Sequence, residues 1–153
     1  MPRRSAPLLA LATGALLVSA PAARADAPPV DAAPVDAAAL GAEPNIVVVT
    51  RDEDGDLRER KAWIADVGGA LYIRTTPASG WGKNFDREPA FALRWAEREL
   101  AMRAERVRDD AEAERVNARF REKYGFGDAA GDIIRFFSGG KKIYRVTPEE
   151  PKP

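Results

Sequence analysis

The chain of 153 residues has room for one domain of ordinary size with extra length at its ends. It contains neither histidine nor cysteine, which excludes Ser-His-Asp triads, Cys-His pairs, disulfides and the commonest transition-metal ligands. Its 24 basic and 24 acidic residues balance, and removal of the first 25 residues would change the net charge from 0 to −3. This balance argues against nucleic acid as a partner. We predict no metal site, and carboxylate chemistry or a bound organic cofactor remains.

The first 25 residues have the pattern of a secretory signal peptide. Two arginines precede an uncharged apolar run from Leu8 to Ala20, and Ala23-Arg24-Ala25 supplies a small-residue cleavage pattern. We expect cleavage before Asp26 and a mature protein that is periplasmic or secreted. A membrane anchor is the alternative, but a spanning helix needs roughly 20 apolar residues. The run is broken at Pro21, so we expect no stable anchor after cleavage.

The segment from Asp26 to Pro44 is almost wholly alanine, proline, aspartate and valine. It has too little large apolar surface to fold, so we predict a semi-extended linker, with a partner-binding tail as the alternative. The composition changes at Asn45, where a β-branched run begins. We therefore place the folded domain at Asn45 to Pro148, followed by a polar tail at residues 149–153.

Three strands in a meander are predicted at the start of the domain. Ile46 to Thr50 is the β-branched run, and Asp54-Gly55 after it is a hairpin-turn signal. A second strand is expected from Leu57 to Asp66. Gly68-Gly69 then turns the chain into a third strand, Ala70 to Thr75.

The third strand leads into a segment from Thr76 to Pro89 that we predict to be a ligand-facing loop. It gathers tryptophan, lysine and asparagine side chains after a Pro/Ser/Gly break. In the strand itself, alternation predicts that Leu71 and Ile73 face one way, and that Tyr72 and Arg74 face the other.

The section from Phe91 to Val107 is ambiguous when it is read alone. Alanine, leucine, arginine, glutamate and methionine dominate it, and these residues favour a helix. The same residues also fit two strands, Phe91 to Glu97 and Glu99 to Val107, with alternating apolar positions. Local propensity slightly favours the helix.

A helix is predicted from Asp109 to Tyr124. Asp109 can cap it, Glu112 has capping-box spacing, and Gly125 ends it. Apolar residues recur at helical spacing at Ala113, Val116, Phe120 and Tyr124. Beyond the helix, Ile133 to Phe137 is expected to form one or two helical turns, and Lys142 to Thr147 a closing strand.

Short motifs occur in a characteristic order along the domain. They are Thr50-Arg51, Gly55 with Arg58, LYIRT at Leu71 to Thr75, W-x-x-N at Trp81 to Asn84, REP at Arg87 to Pro89 and Lys123-Tyr124-Gly125. Together they resemble the split β-barrel flavin-binding superfamily of pyridoxamine-phosphate-oxidase-like proteins. Within it they resemble the deazaflavin-dependent nitroreductase branch and an uncharacterised branch with a helix ending in KYG.

The resemblance implies a mainly β fold with α structure (α+β). The expected architecture is a small split β-barrel of about six antiparallel strands, with one long helix before the last strand. The resemblance also assigns the ambiguous section to two strands, against local propensity, because tertiary context commonly overrides it. Since such barrels often pair, a homodimer is expected.

The resemblance further implies a flavin site, with FMN or a deazaflavin performing hydride transfer. Arg74, Thr75 and Lys83 are the expected phosphate partners. Trp81 offers a stacking face and Asn84 an amide for a ring edge, and no catalytic residue is assigned. The structural alternatives are an ion pair for Arg74, a core position for Trp81 and a turn cap for Asn84.

One turn departs from the pattern of the resemblance. Members with known cofactor use commonly carry a Gly-Arg-Lys-Ser-Gly type turn after the first strand, whereas Asp52 to Asp56 is acidic here and would repel a phosphate. Two functions therefore stay open. One is an exported flavin- or deazaflavin-dependent oxidoreductase acting on a small molecule. The other is a non-catalytic periplasmic split barrel, without a cofactor, that binds a small molecule or a protein.

Overall fold

The computed structural model describes residues 34–125 and 140–150. The predicted signal peptide, Met1 to Ala25, and the predicted helical turns at Ile133 to Phe137 lie outside these residues. Within the described ranges, no helix has the length and apolar character needed to cross a membrane.

Seven antiparallel strands form one curled sheet in the described part of the chain. They are β1 (Ile46–Arg51), β2 (Leu57–Ala62), β3 (Ile64–Val67), β4 (Ala70–Thr75), β5 (Ala90–Trp95), β6 (Arg98–Arg106) and β7 (Lys142–Pro148). Their spatial order is β2-β1-β5-β6-β7-β4-β3. Because β2 and β3 are consecutive in the chain but lie at opposite ends of this order, the chain at Trp63 joins the two ends. The predicted mainly β fold with α structure is confirmed.

The predicted second strand, Leu57 to Asp66, is divided at Trp63. Before this residue the chain pairs with β1, where Ala62 lies opposite Ile46, and after it the chain pairs with β4, where Ile64 lies opposite Ile73. A strand that changes partners has to bend between them. This division accounts for seven strands where about six were expected.

The ambiguous section forms two strands, as the resemblance predicted. Strands β5 and β6 pair with Leu93 opposite Leu100, and the turn between them contains Ala96 with φ of 53°. Leu93, Leu100 and Met102 are buried in the barrel interior. Burial of one alternating face therefore outweighs the helix propensity of these residues.

Three helices accompany the sheet in the described ranges: α1 (Ala37–Ala42), α2 (Gly80–Arg87) and α3 (Asp110–Tyr124). The predicted helix before the last strand is α3. The Asp109 side chain accepts a hydrogen bond from the backbone N–H of Glu112 at 2.7 Å, and Gly125, with φ of 55°, ends the helix.

Helix α1 lies in the segment that was predicted to be an extended linker. Asp36 caps it by accepting hydrogen bonds from the backbone N–H groups of Ala38 and Ala39 at 3.0 and 3.1 Å. Leu40 is completely buried in the main core cluster. The composition was misleading because the barrel supplies the rest of the apolar surface that a single leucine needs.

The two faces of β4 pack against different cores. Leu71 and Ile73 belong to the barrel interior, whereas Tyr72 packs under α3. The guanidinium carbon of Arg74 lies 3.9 Å from the ring centroid of Phe120 on α3. The predicted alternation along this strand is confirmed.

Lys123 fastens α3 to α1 and β3. Its Nζ donates hydrogen bonds to the backbone carbonyl oxygens of Gly41 at 2.6 Å, Glu43 at 2.5 Å and Ile64 at 2.7 Å. Burial lowers the pKa of the Lys123 ammonium group. Lys123 therefore holds the C-terminal end of α1 against the barrel.

Candidate functional site

A cavity of about 260 Å³ lies between the end of β4 and the bend at Trp63, where the chain passes from β2 to β3. Strand β3 pairs with β4 as far as Ile64 opposite Ile73. Beyond that pair the chain bends at Trp63 and follows β1 instead. This bend leaves a gap beside Arg74, Thr75 and Thr76 at the end of β4. The cavity occupies this gap.

Cations and hydroxyl groups surround the cavity. Its described lining residues are Lys61, Ala62, Trp63, Arg74, Thr75, Thr76 and Lys141, and none of these carries a carboxylate. Lys141 reaches the site because Lys142 pairs with Thr75, which places Lys141 opposite Thr76. Charges of one sign that converge on a concave surface attract an anion. The described residues contain no group of three or more side chains suited to a metal ion.

Trp63, which lines the cavity, is the first ring of an aromatic stack that ends at Arg74. The rings of Trp63 and Tyr124 are parallel within 5°, with centroids 4.3 Å apart, and the centroids of Tyr124 and Phe120 are 5.6 Å apart. Arg74 lies over Phe120 and donates from Nη1 to Oδ1 of Asn117 at 2.9 Å. Helix α3 thus fixes the guanidinium before any ligand arrives.

The structure separates the five residues predicted to bind a cofactor. Arg74 and Thr75 line the cavity. Trp81, Lys83 and Asn84 lie on α2, outside the described lining of this cavity. The single predicted cluster therefore consists of two cavity residues and three helix residues.

The three predicted residues on α2 each have a defined environment in the structure. The Trp81 ring packs edge-on against Phe85, with centroids 5.5 Å apart. The buried Nδ2 of Asn84 donates to Oγ1 of Thr50 at 2.9 Å and joins α2 to β1. Lys83 is on the exposed face of the helix. Trp81 and Asn84 thus have the packing and bonding roles of structural residues.

The prediction that Thr76 to Pro89 is a loop was wrong for its central part, which forms α2. Glycines at positions 80 and 82 are weak helix formers, but Trp81 and Phe85 follow at i, i+4 spacing and pack on the core. Gly82 also lets the helix approach β4 closely, since a Cβ atom there would lie 2.6 Å from Cγ2 of Thr75.

Sequence reasoning missed Lys61, Trp63 and Lys141 as lining residues, whereas Thr76 belongs to the segment predicted to face a ligand. The signal for Lys61 and Trp63 is their i, i+2 spacing, which places both side chains on one face of an extended chain. Lys141 has no local signal, because it reaches the cavity only through the pairing of β7 with β4.

The acidic turn between β1 and β2 is distant from the cavity, and the Asp52 carboxylate is hydrogen-bonded to neighbouring residues. Asp52 accepts hydrogen bonds from the backbone N–H groups of Asp54 and Asp56 at 3.1 and 2.9 Å, and from Nε of Arg58 at 2.6 Å. The bond from Arg58 is the main cause of a lowered pKa at Asp52. Lys61 lies about 13 Å along β2 from Leu57, the first residue of the strand, at roughly 3.3 Å per residue. This exceeds the Debye length of about 8 Å, so the expected repulsion of a phosphate is weak at the cavity.

Comparisons with known proteins place the fold. No family model matches the sequence, and no curated protein matches it. Among solved structures, the conserved hypothetical protein Rv2991 of Mycobacterium tuberculosis matches with a TM-score of 0.57 and 16% identity, over 72% of this chain and 76% of that chain. The heme storage protein HutZ of Vibrio cholerae matches with a TM-score of 0.54 and 17% identity, over 71% and 83%.

A third match is a proposed pyridoxamine 5′-phosphate oxidase of Listeria innocua, with a TM-score of 0.50 and 15% identity over 71% of this chain and 86% of that one. The chain therefore has the split β-barrel fold of pyridoxamine-phosphate-oxidase-like proteins, as its sequence motifs predicted. Identities this low establish the fold alone.

Proposed function

We propose that this protein binds a small molecule with a phosphate or similar anionic group, and that a flavin nucleotide such as FMN or a deazaflavin is that ligand. The cavity between β2 and β4 carries the proposal. There Lys61, Arg74 and Lys141 converge with the hydroxyl groups of Thr75 and Thr76, and no described lining residue is acidic.

The donor set suits a phosphate in chemistry and in size. Arg74 offers a guanidinium fork and Lys61 a compact ammonium group, both suited to phosphate oxygens. The cavity volume of about 260 Å³ is slightly below the roughly 300 to 1,000 Å³ of ordinary ligand sites. The phosphate end would occupy the cavity, and the flat ring would extend from it along Trp63.

Two proteins with similar folds support a small-molecule ligand. HutZ is a heme storage protein, and the Listeria protein is a proposed pyridoxamine 5′-phosphate oxidase. A bound flavin would supply hydride transfer to a small-molecule substrate. The residues of this chain would hold its phosphate and position its ring, which makes an oxidoreductase the first candidate function.

A non-catalytic binding protein is the second candidate. Arg74, expected to bind the phosphate, and Asn84, expected to contact the ring, already bond within the protein, because Arg74 donates to Asn117 and Asn84 donates to Thr50. Such a barrel could hold a ligand or a protein partner without reacting with it.

Titration of the purified protein with FMN, followed by flavin fluorescence, tests the shared binding step. We expect Lys61→Gln and Arg74→Gln each to weaken binding by roughly tenfold or more, since a hydrogen bond to a charged group contributes about 1.5–3 kcal/mol. Lys83→Gln is the matched control, because it removes the same charge from the exposed face of α2. Absence of binding at about 100 μM FMN, or equal affinity in all variants, would contradict the proposal.

Reoxidation of the reduced, protein-bound flavin separates the two candidates. Faster electron transfer to a quinone or nitroaromatic acceptor than from unbound FMN would support the oxidoreductase. Binding without such acceleration would support the non-catalytic protein.

We also propose that Met1 to Ala25 directs export of the protein and is removed in the process. The motivation is the charged, apolar and small-residue order of this segment. Mass spectrometry of the protein recovered outside the cytoplasm should give an N-terminus at Asp26. An intact N-terminus on a cytoplasmic protein would refute export.

A homodimer is proposed from the resemblance to split barrels that pair. Light scattering coupled to size-exclusion chromatography should give twice the mass of one mature chain. A single-chain mass at micromolar concentration would exclude a stable dimer.

A further inference from the structure

A second and larger cavity opens on the other side of Lys141. Its volume is about 800 Å³, and it lies between α2, the end of β6 with the connection to α3, and β7. This volume falls within the roughly 300 to 1,000 Å³ typical of small-molecule sites. The second cavity shares Lys141 with the first one.

The apolar lining of the second cavity combines the part-exposed residues Pro89, Val107 and Ala113 with two buried aromatic rings. Phe85 and Tyr144 are both buried, and their ring centroids lie 5.1 Å apart in an edge-to-face arrangement. The Tyr144 hydroxyl donates to Oδ1 of Asp86 at 2.7 Å, which fixes its orientation. A flat ring would meet accessible apolar surface on Pro89, Val107 and Ala113.

The charges around the second cavity favour an anion. The carboxylate of Asp86 is compensated, because it pairs with Lys142 and accepts the hydrogen bond from Tyr144. Among the other described lining residues, Arg106 and Arg108 face a single acid, Asp110. Positive charge therefore exceeds negative charge even before Lys141 is counted.

Arg106 is placed to meet the anionic group. Its guanidinium carbon lies 5.6 Å from the centroid of the Tyr144 ring, and Arg106 itself lines the cavity. A planar guanidinium binds a carboxylate through two parallel hydrogen bonds, which adds geometric specificity to the charge attraction.

We infer that the second cavity binds an aromatic carboxylate, with its ring on Pro89, Val107 and Ala113 and its carboxylate on Arg106. The inference is independent of the proposed function except in one respect. If the first cavity holds a redox cofactor, the shared Lys141 would place this ligand next to it, where a substrate belongs.

Benzoate is a suitable probe, and benzamide is its neutral counterpart of the same shape. Ligand-observed saturation-transfer NMR on the full protein should show millimolar binding of benzoate and much weaker binding of benzamide. Arg106→Gln should weaken benzoate binding by roughly tenfold or more, because it removes a charged hydrogen-bond donor. Arg106→Lys keeps the charge but loses the planar guanidinium. Its affinity for benzoate should lie between those of the wild type and Arg106→Gln.

Two control variants show whether a loss of benzoate binding arises at the second cavity. Arg103→Gln lies on the exposed part of the same strand, outside the described lining of the cavity, and should leave benzoate binding unchanged. Lys61→Gln should weaken FMN binding but not benzoate binding, which separates failure of this inference from failure of the proposed function. If Arg106→Gln disturbs folding by circular dichroism, Arg108→Gln on the exposed connection provides the charge removal instead.

Three results would overturn the inference. They are absence of benzoate binding at about 10 mM, equal binding of benzoate and benzamide, and unchanged benzoate affinity after loss of the Arg106 charge. A loss of benzoate binding in Lys61→Gln would place the ligand in the first cavity and would also overturn it.

Discussion

Gly82 controls how closely α2 approaches the end of β4. A Cβ atom at this position would lie 2.6 Å from Cγ2 and 2.8 Å from Oγ1 of Thr75, a buried β-branched residue with few alternative rotamers. We expect Gly82→Ala to lower the free energy of unfolding by about 1–3 kcal/mol through overpacking, although alanine has the higher helix propensity. Chemical denaturation measures this change.

The control for this prediction is Gly80→Ala in the same helix. A Cβ atom at Gly80 would meet no heavy atom within 4 Å. This substitution should be neutral or slightly stabilising. Equal losses of stability in the two variants would show that contact with Thr75 does not determine the effect.

Asn84 and Thr50 form a buried polar pair between α2 and β1. Nδ2 of Asn84 donates to Oγ1 of Thr50 at 2.9 Å. We expect Asn84→Ala and Thr50→Val each to lower the free energy of unfolding by about 1–3 kcal/mol, because each leaves a buried group without its partner. The double variant should lose less than the sum of the two single losses.

Denaturation of all four proteins in this cycle gives the coupling energy. Strictly additive losses would argue against the bond. FMN affinity measured on the folded Asn84→Ala variant separates the structural role from the ligand-binding role that the sequence motif suggested. An unchanged affinity is expected if the residue only joins α2 to β1.

At the scale of elements, α1 belongs to the folded domain. Leu40 is completely buried, whereas Leu57 is 61% exposed. We expect Leu40→Ala to lower the free energy of unfolding by about 2–5 kcal/mol. The same substitution at Leu57 should change it by no more than about 0.5 kcal/mol. Thermal or urea unfolding of both variants measures these changes. If Leu40→Ala is as stable as the wild type, α1 behaves as a linker and not as part of the folded domain.

The elements also differ in how well local sequence predicted them. Helix α3 was predictable because its cap, apolar spacing and terminal glycine are all local signals. Strands β5 and β6 required the resemblance, since their residues favour a helix when isolated. Helix α2 was not predicted because its stability comes from packing Trp81 and Phe85 on the core, not from its glycine-containing sequence.

At the scale of the whole molecule, Glu112 connects α3 to the outer face of the sheet. Its Oε1 accepts a hydrogen bond from the Tyr72 hydroxyl at 2.7 Å and pairs with Arg145 on β7. These two hydrogen bonds, with that from Tyr72 the larger influence, lower the pKa of Glu112. The folded protein therefore binds the Glu112 proton less readily than the unfolded chain does.

The direction of the pH effect follows from this difference. The stabilising contribution of Glu112 is present above the ordinary glutamate pKa of about 4.3 and is lost as the pH falls toward the lower folded pKa. We expect the stability difference between the wild type and Glu112→Gln to be largest near neutral pH and to shrink below about pH 4. Urea denaturation at several pH values tests this.

The matched control for the pH series is Glu114→Gln, on the exposed face of the same helix. Its unfolding free energy should follow that of the wild type at every pH. A stability difference for Glu112→Gln that stays constant across the series would mean that shape, not charge, accounts for its effect.

The sequence by itself determined the class of the fold and several of its parts. Alternation assigned the two faces of β4, capping residues and a glycine delimited α3, and the order of short motifs predicted the split barrel. It also identified Arg74 and Thr75, which line the first cavity. These features could be predicted because alternation and capping act between residues close together in the chain.

Only the tertiary structure decided where the chain changes partners and what that change assembles. Lys61 and Lys141 meet Arg74 because the chain bends at Trp63 between β2 and β3, which brings the end of β2 to β4, and because β7 is paired with β4. Leu40 folds with the domain because the barrel completes its burial. Both outcomes depend on surfaces contributed by distant parts of the chain, and no local pattern of residues records such contacts.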